Sequence, residues 1–315
     1  MGIFLTKNKL KFLLFLLTLL IAYNNANAQC GCSGGSPMGS SMPLSGTTDL
    51  GMIQKNFIRG FINYRYSYGN EYYRHDMKAP QGVVSYFRSN ITNLTINYGL
   101  DNQFLVEAEF AYFIEKYENY TLFDQTTSGL SNLNLGARYN LLYDRNENFE
   151  VTIGGLIRIP FPNKQEYEEL NIHLKPSSES YGFIFNSFIK KQIQEIDLYL
   201  FLVNRFEFNF NNRFKFRYGN TYYNSFFALK KITGGLNGVL ELRNEIRQKD
   251  RFEDEVICDS GGFLFIISPQ LSYTIGNLGI SVAFDYPFYK YYNGIDKQPA
   301  LKYNILLNLF WGLKI

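Results

Sequence analysis

Four sulfur-containing side chains lie close together near the N-terminus and could bind a soft metal ion. Cys30 and Cys32 form a C-x-C pair, and Met38 and Met42 follow it in a stretch rich in Gly and Ser. Because thiolates and thioethers are soft ligands, this set suits Cu(I), the one cofactor that the sequence suggests. A disulfide, a lipid-modified Cys30 and an inert tail are the alternative interpretations.

A catalytic site is not predicted. The chain has two histidines, His75 and His173, and both lie in predicted loops, away from a serine nucleophile and an orienting partner. The sequence contains no zinc-ligand spacing, phosphate-binding loop or dinucleotide fingerprint. The third cysteine, Cys258, falls in a long predicted loop, where we expect a free thiol. We therefore expect no catalytic residues and no enzyme activity.

Charged side chains form a third set, and they alternate with apolar residues. Glu107 and Glu109, for example, lie between Val106, Ala108 and Phe110. This period of two is typical of a strand with one apolar and one polar face, and it excludes a helix. We expect nine such residues to face the interior of a barrel: Arg59, Arg65, Glu107, Glu109, Arg138, Arg158, Glu241, Arg243 and Asp285. Their mixed signs predict pairs that brace the wall or, where solutes pass, the lining of a path that selects neither anions nor cations.

The strands that position these residues are clearest at the C-terminus. Between residues 301 and 315, Ile305, Leu307 and Leu309 alternate with polar residues that include Asn304 and Asn308. The same reading gives about twelve alternating segments, an even number. Parts of residues 179–232 are apolar on both faces, so their register stays open. The pattern predicts an all-β fold, an antiparallel up-and-down barrel of about twelve strands that crosses a membrane.

The lengths of the connections support this barrel, because short and long connections alternate along the chain. The short ones are residues 100–102, 144–147, 192–195, 233–235 and 276–277, and the long ones are residues 69–87, 118–129, 162–179, 209–218, 248–261 and 291–300. Bacterial outer-membrane barrels combine short periplasmic turns with longer external loops. We therefore expect both termini in the periplasm and the long loops outside the cell.

Composition agrees with a membrane barrel. Aromatic residues make up 17% of the chain, with 29 Phe and 25 Tyr, yet mean hydropathy is only -0.19. Barrel strands are apolar on one face only, which keeps hydropathy low, and aromatic side chains form girdles at the lipid interfaces. The predicted girdle includes Tyr66, Tyr112, Tyr286 and Trp311. A net charge of +3 gives no reason to expect a nucleic-acid partner.

The N-terminus has the features of a secretory signal peptide. Lys7, Lys9 and Lys11 precede an apolar run at residues 12–22, and Ala-Asn-Ala at 26–28 provides small residues for signal peptidase. The run is too short for a membrane helix. We expect a signal peptide at 1–28, a flexible periplasmic tail at 29–54 and a barrel at 55–315, located in the outer membrane of a Gram-negative bacterium.

Four segments carry a family resemblance. Residues 128–142 read SGLSNLNLGARYNLL and resemble the pattern GLGD-x-x-LG-x-[RK]-Y-x-LL, with Asn132 where Asp is usual. Residues 97–104 match a YGLTDR turn, residues 156–162 look like a PtG strand end, and residues 286–294 are similar to a P-x-Y…NG stretch. Together they resemble the outer-membrane family named for the meta-pathway of phenol degradation. The resemblance implies a transporter-like barrel, distantly FadL-like, for hydrophobic molecules.

These observations predict a channel for the passive passage of small, hydrophobic or aromatic solutes. Its expected partners are outer-membrane lipid and the solute itself. The alternative from another functional class is a copper-handling or scaffold barrel, whose Cys/Met tail binds the metal or contacts a periplasmic partner. A surface adhesin that uses the long loops is the third interpretation.

Overall fold

The computed structural model describes residues 53–120, 122–144, 148–163 and 174–315. Its strands are β1 (Phe57–Gly69), β2 (Glu71–Arg74), β3 (Met77–Ala79), β4 (Val84–Gly99), β5 (Phe104–Tyr120), β6 (Asp124–Asp144), β7 (Phe149–Pro160), β8 (Gly182–Ile193), β9 (Leu198–Asn209), β10 (Phe216–Arg217), β11 (Thr221–Thr233), β12 (Leu236–Arg247), β13 (Arg251–Phe252), β14 (Glu255–Val256), β15 (Gly262–Ile275), β16 (Leu278–Tyr292), β17 (Gln298–Ala300) and β18 (Tyr303–Lys314). Twelve of them close into one antiparallel barrel, in the order β1, β18, β16, β15, β12, β11, β9, β8, β7, β6, β5 and β4, with β4 paired to β1. The predicted all-β fold and number of barrel strands are confirmed. Within the described ranges, no helix is both long and apolar enough to cross a membrane.

The alternation in the sequence decides which way each side chain points. In β18, Asn304 and Asn308 are buried, whereas Ile305 and Leu309 are 40% and 42% exposed. Successive residues of a strand point to opposite faces, so one face lines the interior and the other forms the outer surface. Closure pairs each barrel strand with two neighbours and leaves no free edge. The barrel is therefore apolar outside and largely polar inside.

The two ends of the barrel differ. At one end, short turns join β4 to β5, β8 to β9, β11 to β12 and β15 to β16. At the other end, longer segments contain two small sheets, β17–β2–β3 and β10–β13–β14. We call these the short-turn end and the long-loop end. The predicted alternation of short and long connections is confirmed at these positions, with one exception.

The exception is the long connection predicted at residues 118–129. Strand β5 continues to Tyr120 and β6 already begins at Asp124, so the two form a long hairpin. Tyr117 donates a hydrogen bond to the Asp124 carboxylate (2.8 Å), and Tyr120 stacks on Phe123 with ring centroids 4.7 Å apart. These contacts sustain strand pairing beyond the apolar part of the strands, where the polar sequence suggested a loop.

The register of residues 179–232 is fixed by the pairing of β8, β9 and β11. Phe201 lies opposite Phe227, and Tyr199 lies opposite Leu229. Seven buried side chains on β8, β9, β11 and β12 pack together inside the barrel, and we call them the apolar wall: Phe188, Tyr199, Phe201, Val203, Phe227, Leu229 and Val239. The outward neighbour Leu200 is apolar as well. Both faces of these strands are thus apolar, which explains why their alternation was unclear in the sequence.

Hydrogen bonds join the long loops to one another. Four of them connect different loops at the long-loop end: Asn212 Nδ2 to Ser178 O (3.3 Å), Gly219 N to Asp250 Oδ1 (2.7 Å), Asn293 Nδ2 to Ser260 O (3.5 Å) and Lys297 Nζ to Gln81 O (2.7 Å). Lys116 of β5 also donates a hydrogen bond to the carbonyl of Lys175 (3.0 Å). We call this set of joined loops the collar. It ties the loops to each other and to the barrel.

Candidate functional site

The nine charged residues that the sequence predicted for the interior lie at inward-facing positions of the barrel strands. Eight of them are buried: Arg59, Arg65, Glu107, Glu109, Arg158, Glu241, Arg243 and Asp285. Arg138, the ninth, keeps 17% of its side-chain surface exposed. The strands thus place these residues in the interior of the barrel.

One ionic network crosses the interior. The two terminal nitrogens of Arg205 each donate a hydrogen bond of 2.9 Å to an oxygen of Glu109. Arg205 lies on β9 and Glu109 on β5, and three strands separate them around the barrel. The pair therefore spans the interior instead of following the wall. Its bidentate geometry is the strongest form of ion pair between these side chains.

Two more charges complete this crossing network. Arg205 Nε donates to Glu207 (2.6 Å), and Arg158 Nη2 donates to the other oxygen of Glu207 (2.7 Å). Arg158 Nη1 in turn donates to Asn209 (2.6 Å). With two arginines and two glutamates, the crossing network is electrically balanced. It narrows the interior at this level without presenting an excess of either charge.

A second network gathers around Arg243 of β12. Its guanidinium donates hydrogen bonds to Glu241 (3.0 Å), Glu245 (2.9 Å) and Asp285. Asp285 lies on β16, with β15 between it and Arg243. Arg65 on β1 interacts electrostatically with Glu245. Three carboxylates are thus held by one arginine and approached by a second.

The remaining predicted residues have local partners. Arg138 of β6 donates a hydrogen bond of 2.7 Å to Glu107 on the adjacent strand β5. The guanidinium of Arg59 lies 5.4 Å from the ring centroid of Phe61. The structure therefore brings Glu109 and Arg158 into the crossing network and Glu241, Arg243 and Asp285 into the second one.

Two of the four charged residues in the crossing network were not predicted from the sequence. Arg205 and Glu207 were not predicted, because the surrounding segment is apolar on both faces and gave no register. The alternation of Arg205 and Glu207 with Phe206 and Phe208 was the available signal. Glu245 is not among the predicted residues, because the predicted alternating segment stops at Arg243. Strand β12 in fact continues to Arg247.

Neutral polar residues form a row around half of the interior. Six consecutive strands each contribute one residue to it, and pairing places them side by side: Asn237, Ser272, Ser281, Asn308, Asn63 and Asn93. Asn308 donates to Ser281 (2.9 Å), Asn63 donates to Asn308, and Asn93 donates to Asn63 (3.4 Å). We call this row the polar ladder. It provides amide and hydroxyl groups on the side of the interior away from most of the apolar wall.

The other chemically interesting residues do not form a site among the residues described. His75 is exposed and stacks on Tyr291, with ring centroids 5.4 Å apart. Cys258 is an exposed free thiol. Groups of three or more His, Cys, Asp or Glu side chains that could hold a metal are absent from the described ranges.

Several predictions fall outside these ranges. His173 lies there, and so do the four sulfur ligands proposed for copper, Cys30, Cys32, Met38 and Met42. Copper binding, the signal peptide at 1–28 and the tail at 29–54 therefore stay predictions, as does the absence of enzyme activity.

Comparison with solved structures supports the barrel fold. An outer membrane channel from Pseudomonas putida F1 is similar over 85% of this chain and 99% of its own, with 12% identity and a TM-score of 0.69. The NanC porin (80% and 100%, 10% identity, TM-score 0.48) and a FadL homologue from Pseudomonas aeruginosa (92% and 99%, 11% identity, TM-score 0.44) are more distant. Of these three, the first alone exceeds a TM-score of 0.5, and at this identity it supports the fold. The sequence matches no protein-family model and no curated protein.

Proposed function

We propose that this chain is an outer-membrane channel for the passive passage of small solutes. The observation that carries the proposal is the inversion of a soluble protein's polarity around a closed barrel. Residues such as Leu307 and Val282 are exposed on the outer face, whereas Glu241 and Asp285 are fully buried inside. An apolar outer band suits lipid, and full closure satisfies the backbone of every barrel strand in hydrocarbon. The similar Pseudomonas putida protein is itself described as an outer membrane channel.

The orientation follows from the loops. Short turns face the periplasm and long loops face outward in bacterial outer-membrane barrels. We place the collar on the cell surface and residue 53, which precedes β1, on the periplasmic side. This arrangement agrees with an exported chain in the outer membrane of a Gram-negative bacterium.

The interior favours small solutes with an apolar part. The crossing network limits the width of the path, because the Arg205–Glu109 pair spans it. The apolar wall provides aromatic and aliphatic contacts, and the polar ladder provides hydrogen-bonding groups. We therefore propose small hydrophobic or aromatic solutes as the substrates, in line with the resemblance to the phenol-degradation family.

Swelling of proteoliposomes tests this function. Purified protein in vesicles should admit neutral solutes of about the size of erythritol and exclude a trisaccharide, because a barrel of this strand number encloses a narrow interior. Vesicles without protein and vesicles with Leu307→Ala, a change on the lipid-facing side, are the controls. If neither the wild type nor Arg205→Ala, which removes the crossing pair, admits any solute, the chain is not a channel.

A further inference from the structure

Three buried amide side chains are attached to carboxylates in the same way. Asn134 donates to Glu109 (2.8 Å), Gln270 donates to Glu241 (3.2 Å) and Asn304 donates to Asp285 (2.9 Å). Each of the three carboxylates also accepts a hydrogen bond from an arginine. The three amides are therefore hydrogen-bonded members of the two ionic networks.

This attachment fixes how the amides point. An ionised carboxylate only accepts hydrogen bonds, so the NH2 end of each amide must face it and the carbonyl oxygen must face away. The carbonyl oxygens of Asn134, Gln270 and Asn304 have no hydrogen-bond partner in the described part of the chain. The three side chains are at most 4% exposed. Buried carbonyl groups of this kind are rare in folded proteins, and each one calls for an explanation.

The polar ladder ends in the same kind of group. Three of its amides donate in one direction, from Asn93 to Asn63 to Asn308 to Ser281, and Asn237 at the other end of the row donates to Ser272 (3.5 Å). The carbonyl oxygen of Asn93, at the start of this chain of hydrogen bonds, has no partner, and the residue is 3% exposed. The ladder thus leaves one more unpaired acceptor at an inward-facing position of β4.

The unpaired groups share one chemistry. They are neutral carbonyl acceptors, and the carboxylates behind them accept hydrogen bonds from Arg205 and Arg243. One carboxylate oxygen, Asp285 Oδ1, also has no hydrogen-bond partner among the described residues. An acceptor of this kind pairs with a hydroxyl or N–H donor and offers nothing to a solute that carries acceptors only.

We infer that the interior binds neutral solutes through their hydrogen-bond donors, at the carbonyl oxygens of Asn93, Asn134, Gln270 and Asn304. The inference rests on the proposed channel function and adds a selectivity to it. A solute that brings hydroxyl groups can pair these acceptors while its apolar part lies against the apolar wall. A site that leaves buried acceptors unpaired discriminates against a solute without donors.

Two solutes of similar size separate this selectivity from simple sieving. Erythritol carries four hydroxyl donors, and glycine betaine is neutral overall and has no N–H or O–H group. Wild-type proteoliposomes should swell in erythritol faster than in glycine betaine by roughly fivefold or more, a ratio of the size that hydrogen-bond discrimination gives. Gln270→Met and Asn304→Leu should each reduce this ratio several-fold, because each removes one acceptor.

The matched control is Asn224→Leu. Asn224 is also an amide on a barrel strand, but it faces outward, where it donates to Asn204 on the neighbouring strand. This variant should keep the wild-type ratio. Folding of each variant is checked by the shift between folded and heat-unfolded bands on gel electrophoresis. Using both Gln270→Met and Asn304→Leu keeps the test valid if one of them fails to fold.

Several results would overturn the inference. Equal entry of the two solutes into wild-type vesicles would do so, and so would folded Gln270→Met with an unchanged ratio, which would mean that water alone pairs these oxygens. If the two variants change the permeability ratio of K+ to Cl− and leave the ratio of erythritol to glycine betaine entry unchanged, the carbonyl oxygens bind cations and not neutral solutes. If neither solute enters through wild type or Arg205→Ala, the channel function fails and the inference fails with it.

Discussion

The two sides of the barrel interior differ in their chemistry. On one side, six strands supply the polar ladder, in which Asn63, Asn93 and Asn308 pass hydrogen bonds from strand to strand. On the other side, the apolar wall packs rings such as Phe188 and Phe201, whose centroids are 5.8 Å apart. Strand β12 contributes to both sides, since it carries Asn237 of the polar ladder and Val239 of the apolar wall. The crossing network joins β9, which carries part of the wall, to β5, which lies next to the ladder.

This difference suggests what the interior can hold. A path lined only by polar groups would suit any small hydrophilic solute, and one lined only by rings would repel it. A path with one side of each kind suits a molecule that has an apolar part and a hydrogen-bonding part. The following variants test whether the two sides act separately.

The largest effect on stability is expected from Arg205→Ala. The change leaves Glu109 and Glu207 without their shared arginine, and breaking a buried ion pair costs about 3–5 kcal/mol of unfolding free energy. Urea titration of the protein in lipid vesicles measures it. Arg138→Ala is the control, because its pair with Glu107 joins adjacent strands and is partly exposed. Equal losses in the two variants would mean that the crossing network has no special role.

A somewhat smaller loss is expected from Phe201→Ala in the apolar wall. Phe201 is 1% exposed and packs within the wall, so its removal leaves a cavity that costs about 3 kcal/mol. The neighbouring Leu200→Ala, on the outward face, should cost less, since lipid can fill the space. The same titration compares them. If Leu200→Ala proves the more costly change, the assignment of faces in β9 is wrong.

A smaller loss of unfolding free energy is expected from a substitution in the polar ladder. Asn63→Leu removes two hydrogen bonds of the polar ladder, and each contributes about 1 kcal/mol net. Erythritol entry should fall in this variant, because the ladder loses a polar group, whereas Phe201→Ala should leave hydrogen bonding intact. Proteoliposome swelling gives the comparison. Loss of erythritol entry in Phe201→Ala with full entry in Asn63→Leu would reverse the roles of the two sides.

The smallest effect is expected outside the barrel, in the collar. The hydrogen bond from Lys78 lowers the pKa of the Glu71 carboxyl, and Lys290 adds to this effect. The stabilisation is therefore present above the unfolded pKa and is lost as pH falls through the lower folded value. Because Lys78 and Glu71 are screened by water, the loss should be at most about 0.5 kcal/mol. Comparing wild type with Glu71→Gln at pH 7 and pH 3 measures this loss, and a larger loss would show that water screens the Glu71–Lys78 pair only weakly.

The sequence predicted the polar side of the interior well. In β16 and β18, residues such as Ser281 and Asn308 stand between large apolar residues, so the period of two shows both the strand and the face. Their position inside the barrel is confirmed. The same reasoning located all nine charged residues at inward positions.

The apolar wall and the crossing network could not be predicted in the same way. Where both faces of a strand are apolar, as in β9, the alternation disappears and no face can be assigned. Alternation also gives the face of a residue but not the reach of its side chain across the interior. The pairing of Arg205 with Glu109, 96 residues apart in the chain, therefore appears only in the structure.

Single-channel conductance of wild type and Arg205→Ala in planar bilayers tests the central proposal most directly. If the Arg205–Glu109 pair narrows a solute path, Arg205→Ala should conduct at least about twice as much as wild type, because the conductance of a pore is limited by its narrowest part, while Arg138→Ala should stay close to wild type. An equal conductance of wild type and folded Arg205→Ala would contradict the proposal that this pair narrows a solute path.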